Sequence, residues 1–142
     1  MPSFLNIKDD SLETLFSMGT CPTVNRMVGC GAGAEWQVSM LSGPIPNLGG
    51  RFFRHRKRFD WGNGVFGHNI LFSRFAWGFF KALWPWDNGY NQMLLDYDQP
   101  TNTFTRRIHD VVRTTPNPDI MIGKFFWGKC FLGYFSLTRI TK

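Results

Sequence analysis

Short apolar segments recur along this chain, and residues that favour turns separate each segment from the next. In the first of them Trp36, Val38 and Met40 alternate with polar residues, which is the period of two expected of a strand with one buried face. Asn88-Gly89, between two later segments, is a dipeptide that favours tight hairpins. The pattern predicts an antiparallel meander of about eight strands. These predicted strands are 34–40, 51–59, 65–75, 76–84, 91–98, 103–112, 120–127 and 131–140, where 65–84 can alternatively form one long strand kinked near Gly78.

Closure into a barrel is the architecture expected of such a meander, because closure removes the two exposed edges of the sheet. The 142 residues suit one domain, and the 17% aromatic content suits twisted strands, so the predicted class is all-β. A barrel of about eight strands holds packed side chains or one small ligand. A two-sheet sandwich is the alternative. The predicted organisation is one domain, 1–142, with an N-terminal helix in 1–20 and the barrel in 34–140.

The beginning of the chain predicts one short helix. Residues 10–13 form a possible capping box at the beginning of the helix. Leu12, Leu15 and Phe16 share one helical face, and Gly19 is a suitable residue to end the helix. We expect this face to pack on the outside of the sheet; the alternative is a membrane-surface role.

The composition predicts a reduced, cytoplasmic protein without a membrane span. The start of the chain lacks a cationic segment followed by a long apolar run, and the apolar stretch 70–86 is interrupted by Arg74 and Lys81. The three cysteines have no close CxxC spacing, which favours neither a disulfide framework nor zinc. No cofactor is expected.

The strand 51–59 concentrates the positive charge of the chain. It holds five cations and no acid, so removing them from the formal net charge of +6 leaves 6 − 5 = +1. Such a local cluster indicates a site for an acidic group, whereas nucleic acid is disfavoured because no second basic run exists. Alternation puts two sets of side chains on opposite faces. The sets are Phe53, His55, Lys57 and Phe59 on one face, and Phe52, Arg54, Arg56 and Arg58 on the other.

Three interpretations of this strand remain open. The first set has apolar ends and a polar centre, as expected of a barrel interior that holds a carboxylate or phosphate head group. Alternatively, the strand is solvated and its charges deter edge pairing. In a third hypothesis, the row of Arg54, Arg56 and Arg58 binds an acidic partner.

An enzyme is a further alternative, with His109 or His68 as the acid or base. Adjacent residues of a strand point to opposite faces, so His109 shares a face with Arg107, and Asp110 is expected to pair with Arg106. No nucleophile motif or phosphate loop is present. His55, His68 and His109 also lack the spacing of metal ligands, and no metal is predicted.

Four positions carry a family resemblance. Gly33 and Trp36 stand at the first strand, Asp96-Tyr97 lies late in the chain, and Arg139 is in the last strand. With the short helix and the meander, they resemble the calycin barrels, the lipocalins and fatty-acid-binding proteins. The resemblance implies a central cavity for a small ligand and no catalysis. It also implies structural roles for Gly33, Trp36 and Arg139, with Arg139 packed across Trp36 in a cation–π contact.

The sequence therefore predicts a barrel that binds a small apolar or amphipathic acidic molecule, with His55 and Lys57 at its head group. The apolar run 125–135 also allows either a covering helix or a homodimer. The predicted ligand-binding residues are His55, Lys57, Trp36, Phe53, Phe59, Trp77, Phe79, His109 and Arg107.

Overall fold

The protein folds as a closed barrel of eight antiparallel strands. Its computed structural model describes residues 9–29, 33–42, 55–62, 64–71, 75–85 and 91–140, without the side chains of 9, 10, 75 and 104. The predicted all-β class, the meander order and the short N-terminal helix are confirmed. The helices are α1 (Asp9–Met18) and α2 (Val24–Val28); the strands are β1 (Ala34–Met40), β2 (His55–Gly62), β3 (Gly64–Leu71), β4 (Phe75–Leu83), β5 (Met93–Asp96), β6 (Ile108–Thr114), β7 (Ile120–Trp127) and β8 (Cys130–Arg139).

The first and last strands close the barrel. Each strand pairs with its neighbour in the chain, and β1 then pairs antiparallel with β8, from Trp36 opposite Arg139 to Met40 opposite Phe135. Because every strand has two partners, the sheet has no free edge.

Several of the predicted strand boundaries were wrong. β2 continues to Gly62, through residues expected in a turn, because the hairpin is tight enough to pair Gly62 with Gly64. β5 is limited to Met93–Asp96. The predicted strand 103–112 begins instead with a short 3-10 helix, Phe104–Arg107, and becomes a strand only at Ile108.

The five-residue helix α2 was not predicted, because it is too short to display a helical period. Thr23 caps it by accepting a hydrogen bond from the Arg26 amide. Its Met27 and Val28 are buried in the barrel core, and the Met27 carbonyl accepts a hydrogen bond of 3.3 Å from the Trp36 indole. α2 therefore closes one end of the barrel.

Arg139 joins this closed end from the last strand. Its guanidinium lies 5.7 Å from the Trp36 ring centre and donates to the Arg26 carbonyl at 3.0 Å. Gly33, just before β1, has φ of 87°, a left-handed conformation that favours glycine. Three residues of the resemblance, Gly33, Trp36 and Arg139, thus lie together where β1, β8 and α2 meet, whereas Asp96-Tyr97 lies elsewhere in the barrel.

Helix α1 lies outside the barrel, on the C-terminal strands. Its Leu12 and Phe16 are buried in a cluster with Ile122 and Tyr134. The Glu13 carboxylate accepts hydrogen bonds from Tyr134 and Ser17 and forms an ion pair with Lys124; the side chain of residue 10, its predicted capping partner, lies outside the described part. The helix therefore covers the outer face of the C-terminal strands, for which the sequence predicts either a covering helix or a homodimer.

Cys21 and Cys130 are both free, and Cys30 lies outside the described residues. No helix in the described ranges is both long and apolar enough to cross a bilayer.

Candidate functional site

A bulge in β4 determines which side chains enter the barrel. Gly67 pairs with Phe80 and Asn69 pairs with Trp77, so two steps along β3 correspond to three along β4. Gly78, at the extra position, has φ of 58°, which a side chain would strain. The bulge shifts the alternation by one residue.

The prediction for Phe79 was therefore wrong. A regular strand would place Trp77 and Phe79 on one face. Beyond the bulge Phe80 faces the core, while Phe79 is 36% exposed and packs beside His68. Only Trp77 of this predicted pair reaches the interior.

Two asparagine side chains form hydrogen bonds with backbone groups at the bulge that do not pair with a neighbouring strand. The Asn69 amide donates to the Gly78 carbonyl at 3.0 Å from inside the barrel. Asn102 accepts from the Phe79 N–H at 2.9 Å and donates to the Phe79 carbonyl. Because β5 pairs with β4 only at residues 81–83, Asn102 supplies the hydrogen bonds that a neighbouring strand would otherwise make. The position of Asn69 is thereby held by the backbone itself.

Four buried polar side chains meet inside the barrel, and we call Lys57, Asn69, Tyr97 and Asp110 the interior polar cluster. Lys57 Nζ donates to Asn69 Oδ1 at 2.7 Å and to the Tyr97 hydroxyl at 2.5 Å. It also lies 3.2 Å from Asp110 Oδ2. The Tyr97 hydroxyl donates to the same Asp110 oxygen at 3.0 Å and accepts from the Asn69 amide. Each polar terminus in the cluster thus has a partner.

Burial controls the ionisation of this cluster. Desolvation lowers the pKa of Lys57, and the neighbouring Asp110 carboxylate offsets only part of that effect. Desolvation also raises the pKa of Tyr97 well above its usual value, and the negative charge of Asp110 raises it further. Lys57 is therefore easier to deprotonate than a surface lysine, whereas Tyr97 retains its proton.

A cavity of about 140 Å³, partly open to solvent, lies against this cluster. It occupies the end of the barrel where β1 ends and β2 begins, opposite the end closed by α2. Apart from the cluster and His55, its walls are aliphatic and aromatic. The lining residues are Val38, Met40, His55, Lys57, Asn69, Trp77, Tyr97, Ile108, Asp110, Phe125 and Phe135.

Trp77 adds an unsatisfied donor to the cavity wall. Its indole nitrogen is buried and has no hydrogen-bond partner among the residues that the structure describes. The ring lies 5.9 Å from the imidazole of His55. Buried donors usually find a partner, so this N–H is an exception among the described side chains.

The structure brings only some of the predicted ligand-binding residues together. His55, Lys57 and Trp77 line the cavity. Trp36 and Phe59 face inward but are fully buried in the packed core beyond it. Phe53 lies outside the described residues.

His109 and Arg107 were wrongly placed in the interior by the sequence interpretation. The His109 ring stacks on Phe126 at 4.7 Å, on the face opposite Asp110. Arg107 is exposed in the 3-10 helix, so it is not part of a strand face. The two residues are on the outside because the strand begins after Arg107 and turns Ile108 and Asp110 inward.

The predicted ion pair between Asp110 and Arg106 was also wrong. Arg106 pairs with Asp98 at 2.8 Å on the surface, while Asp110 pairs with Lys57. With His68 beside Phe79, the three histidines do not converge, and no group of metal-ligating side chains occurs in the described part of the chain.

The outer row of cations is balanced by acids. Arg56 Nη1 lies 2.5 Å from Glu35, and Arg58 lies 3.3 Å from Glu35 and 3.0 Å from Asp60. Arg54 falls outside the described residues. The two described arginines of this row thus face two carboxylates, Glu35 and Asp60.

Sequence reasoning missed most of the interior polar cluster. Asn69 follows His68 within an otherwise apolar stretch, and Asp110 precedes two valines, so both carried the signal of a polar residue at a buried position. Tyr97 was noticed only through the resemblance. The lining residues that were not predicted are Val38, Met40, Asn69, Tyr97, Ile108, Asp110, Phe125 and Phe135.

The chain matches no protein-family model, and no curated protein or solved structure is significantly similar to it. The site must therefore be interpreted from its own geometry.

Proposed function

We propose that this protein binds one small, largely apolar molecule inside its barrel. The observation that carries the proposal is the cavity of about 140 Å³, with its apolar walls and its buried polar cluster. Cavities of about 150 Å³ lined by apolar side chains accept a molecule the size of benzene. A ligand of that size would fill the space between β1, β4 and β7.

The polar groups favour a ligand with one hydrogen-bond acceptor. The Trp77 indole N–H lacks a partner among the described residues, and it stands beside His55 in the cavity wall. An acidic head group, which the cationic strand suggests, would have to compete with Asp110 for Lys57. The arrangement therefore favours a neutral acceptor such as a carbonyl, ether or nitrile over a carboxylate.

The resemblance to calycin barrels supports a carrier role. The barrel has eight strands, one closed end, and an Arg139–Trp36 contact at that end. The cavity lies at the opposite end, where a ligand could enter between strand ends without opening the sheet. We accordingly propose a calycin-like binding protein.

Binding can be tested with two molecules of similar size, toluene and benzonitrile, of which only benzonitrile accepts a hydrogen bond. We expect both to perturb the backbone amide NMR signals of residues around the cavity. Benzonitrile should bind about tenfold more tightly, as expected when one buried donor gains a partner. Native mass spectrometry of the purified protein would additionally reveal a ligand carried from the expression host.

Adjacent residues of β6 provide a matched control. Ile108→Trp places a large ring in the cavity, whereas His109→Trp places the same ring on the outer face, where His109 already stacks on Phe126. We expect the first variant to abolish binding and the second to retain it. If toluene and benzonitrile leave the cavity signals of the wild-type protein unchanged, the proposal is wrong.

A further inference from the structure

The position of Lys57 gives the cavity a chemical group that simple binding does not require. The Lys57 side chain lines the cavity, the residue is 4% exposed, and its amine is surrounded by the rings of Phe80, Tyr97 and Phe135 at 5.2 to 5.8 Å. We propose that Lys57 is a reactive amine that forms an imine with a small aldehyde or ketone in the cavity. This inference rests on the proposed function, because the carbonyl compound must first occupy the cavity.

The neighbours of Lys57 supply both proton transfers. Asp110 Oδ2 lies 3.2 Å from Nζ and can take the proton that converts the ammonium to an amine. Tyr97 bridges the two groups, since its hydroxyl is 2.5 Å from Nζ and donates to Asp110. Asn69 accepts from Nζ at 2.7 Å and holds the amine in place. A nucleophile, a base and a proton relay are therefore in direct contact.

The reaction balances without an oxidant or a reductant. The Lys57 ammonium gives a proton to Asp110, and the nitrogen lone pair forms a bond to the carbonyl carbon while the π electrons move to oxygen. That oxygen takes up the first proton through Tyr97 and Asp110. The nitrogen then gives a second proton to Asp110, which passes it to the same oxygen, and the oxygen leaves as water while the nitrogen lone pair forms the C=N bond. The net change is ammonium plus carbonyl compound to protonated imine plus water, with the Asp110 carboxylate regenerated.

Burial favours the reactive form of the amine. Desolvation lowers the pKa of Lys57 although Asp110 opposes the change, so the neutral amine becomes accessible at lower pH than for an exposed lysine. The groups that face the amine are Asp110 on β6, Tyr97 after β5 and Asn69 on β3, and His55 on β2 shares the cavity. The rate of imine formation should therefore increase with pH and reach its plateau below 10.5, the ordinary lysine pKa.

A purely structural role explains the location of the amine less well. Buried ion pairs are weak contributors to stability, and apolar residues of similar volume often serve equally well. Lys57 also borders a cavity of ligand size. An ion pair with a purely structural role would be more stable if the space around it were completely packed.

The experiment uses benzaldehyde with sodium cyanoborohydride, which reduces an imine to a stable secondary amine. Peptide mapping by mass spectrometry then gives the rate of labelling at each lysine of the intact protein. We expect Lys57 to be labelled on the order of tenfold faster than the exposed Lys129, because the cavity holds the aldehyde beside the amine. Ile108→Trp should remove this preference without changing Lys129, and His109→Trp should retain it.

Toluene binding, measured on the same samples, separates the two proposals. If toluene binds and Lys57 is labelled no faster than Lys129, the imine inference is overturned and the binding function stands. If toluene does not bind and Lys57 is not preferred, both proposals are wrong. A preference for Lys57 with a pH profile that rises toward its plateau below the ordinary lysine pKa supports the inference.

Discussion

Lys57 and Asp110 are 5% and 4% exposed, and each is the main charge that the other meets inside the barrel. Removing two charges from water is unfavourable, and their attraction restores this loss only when the remaining hydrogen bonds are also satisfied. Here Asn69 and Tyr97 satisfy them. The stability of the barrel therefore depends on keeping the pair intact or replacing it as a unit.

A double-mutant cycle tests this dependence. Asp110→Leu leaves Lys57 buried without its counter-ion and should destabilise the protein by about 3–5 kcal/mol. Adding Lys57→Met should restore most of the loss, because neither charge then remains. Urea unfolding at neutral pH measures both free energies.

The control for this cycle is a surface pair. Asp98→Leu disrupts an ion pair with Arg106, in which both side chains are more than half exposed, and should cost about 0–1 kcal/mol. A double variant as unstable as Asp110→Leu alone would contradict the predicted coupling.

At the residue scale, sequence reasoning placed Lys57 with His55 in the interior but assigned Asp110 the wrong partner. Arg106 shares a strand face with Asp110 only if the strand includes both residues. In the structure residues 104–107 form a 3-10 helix, which ends that regular alternation. The partner of Asp110 is Lys57, which lies on a strand across the barrel. No local sequence pattern predicts a contact between residues so far apart in the chain.

At the element scale, α1 and the β4 bulge position the sheet around the site. α1 packs Leu12 and Phe16 on the outer face, where Arg113 and Lys124 each lie 4.5 Å from the Phe16 ring centre. Asn102 holds the bulge from the loop after β5. Each of these features depends on a segment distant in the chain: α1 on side chains of β6 and β7, and the bulge on Asn102.

The contacts of Glu13 should make the docking of α1 depend on pH. Burial alone would raise the pKa of Glu13, but hydrogen bonds from Lys124 and Tyr134 outweigh it and the pKa is lowered. A carboxyl whose pKa is lower in the folded state stabilises the protein above its unfolded pKa, near 4.5, and this stabilisation is lost as the pH falls through the folded pKa. Since the Glu13 side chain is half exposed, we expect about 0.5 kcal/mol.

Chemical unfolding of wild type and Glu13→Gln, at neutral and at acid pH, measures this contribution. The variant should be less stable at neutral pH and should approach the wild type at low pH. Asp119→Asn, in the exposed turn between β6 and β7, is the control for the loss of a carboxylate that does not contact α1. A constant difference between wild type and Glu13→Gln at all pH values would refute the role of ionised Glu13.

At the scale of the whole molecule, the barrel has two unlike ends. One end is filled by Met27, Trp36, Phe59 and their neighbours and is closed by α2. The other end contains the cavity and the interior polar cluster. A packed end can secure the stability of the barrel while the opposite end remains available for a ligand.

Arg139 connects three elements at the closed end, so its loss should affect the whole barrel. Arg139→Gln removes the cation–π contact with Trp36 and the charged hydrogen bond to the Arg26 carbonyl. We expect a loss of about 1–3 kcal/mol in the free energy of unfolding, measured by urea denaturation. Arg106→Gln, which removes only an exposed ion pair, should lose about 0–1 kcal/mol. Equal losses of unfolding free energy in both variants would show that the contacts of Arg139 do not stabilise this end of the barrel.

The sequence by itself determined the class, the order of strands and the N-terminal helix, whereas the face of the cationic strand that points inward stayed open. The class, the strand order and the helix follow from local periodicity and turn residues, which act over a few neighbouring positions. Only the tertiary structure decided the bulge at Gly78, the short helix α2 and the pairing of Lys57 with Asp110. Each of these depends on contacts between distant segments, and a one-residue shift in register reverses the faces of a strand without changing its local pattern.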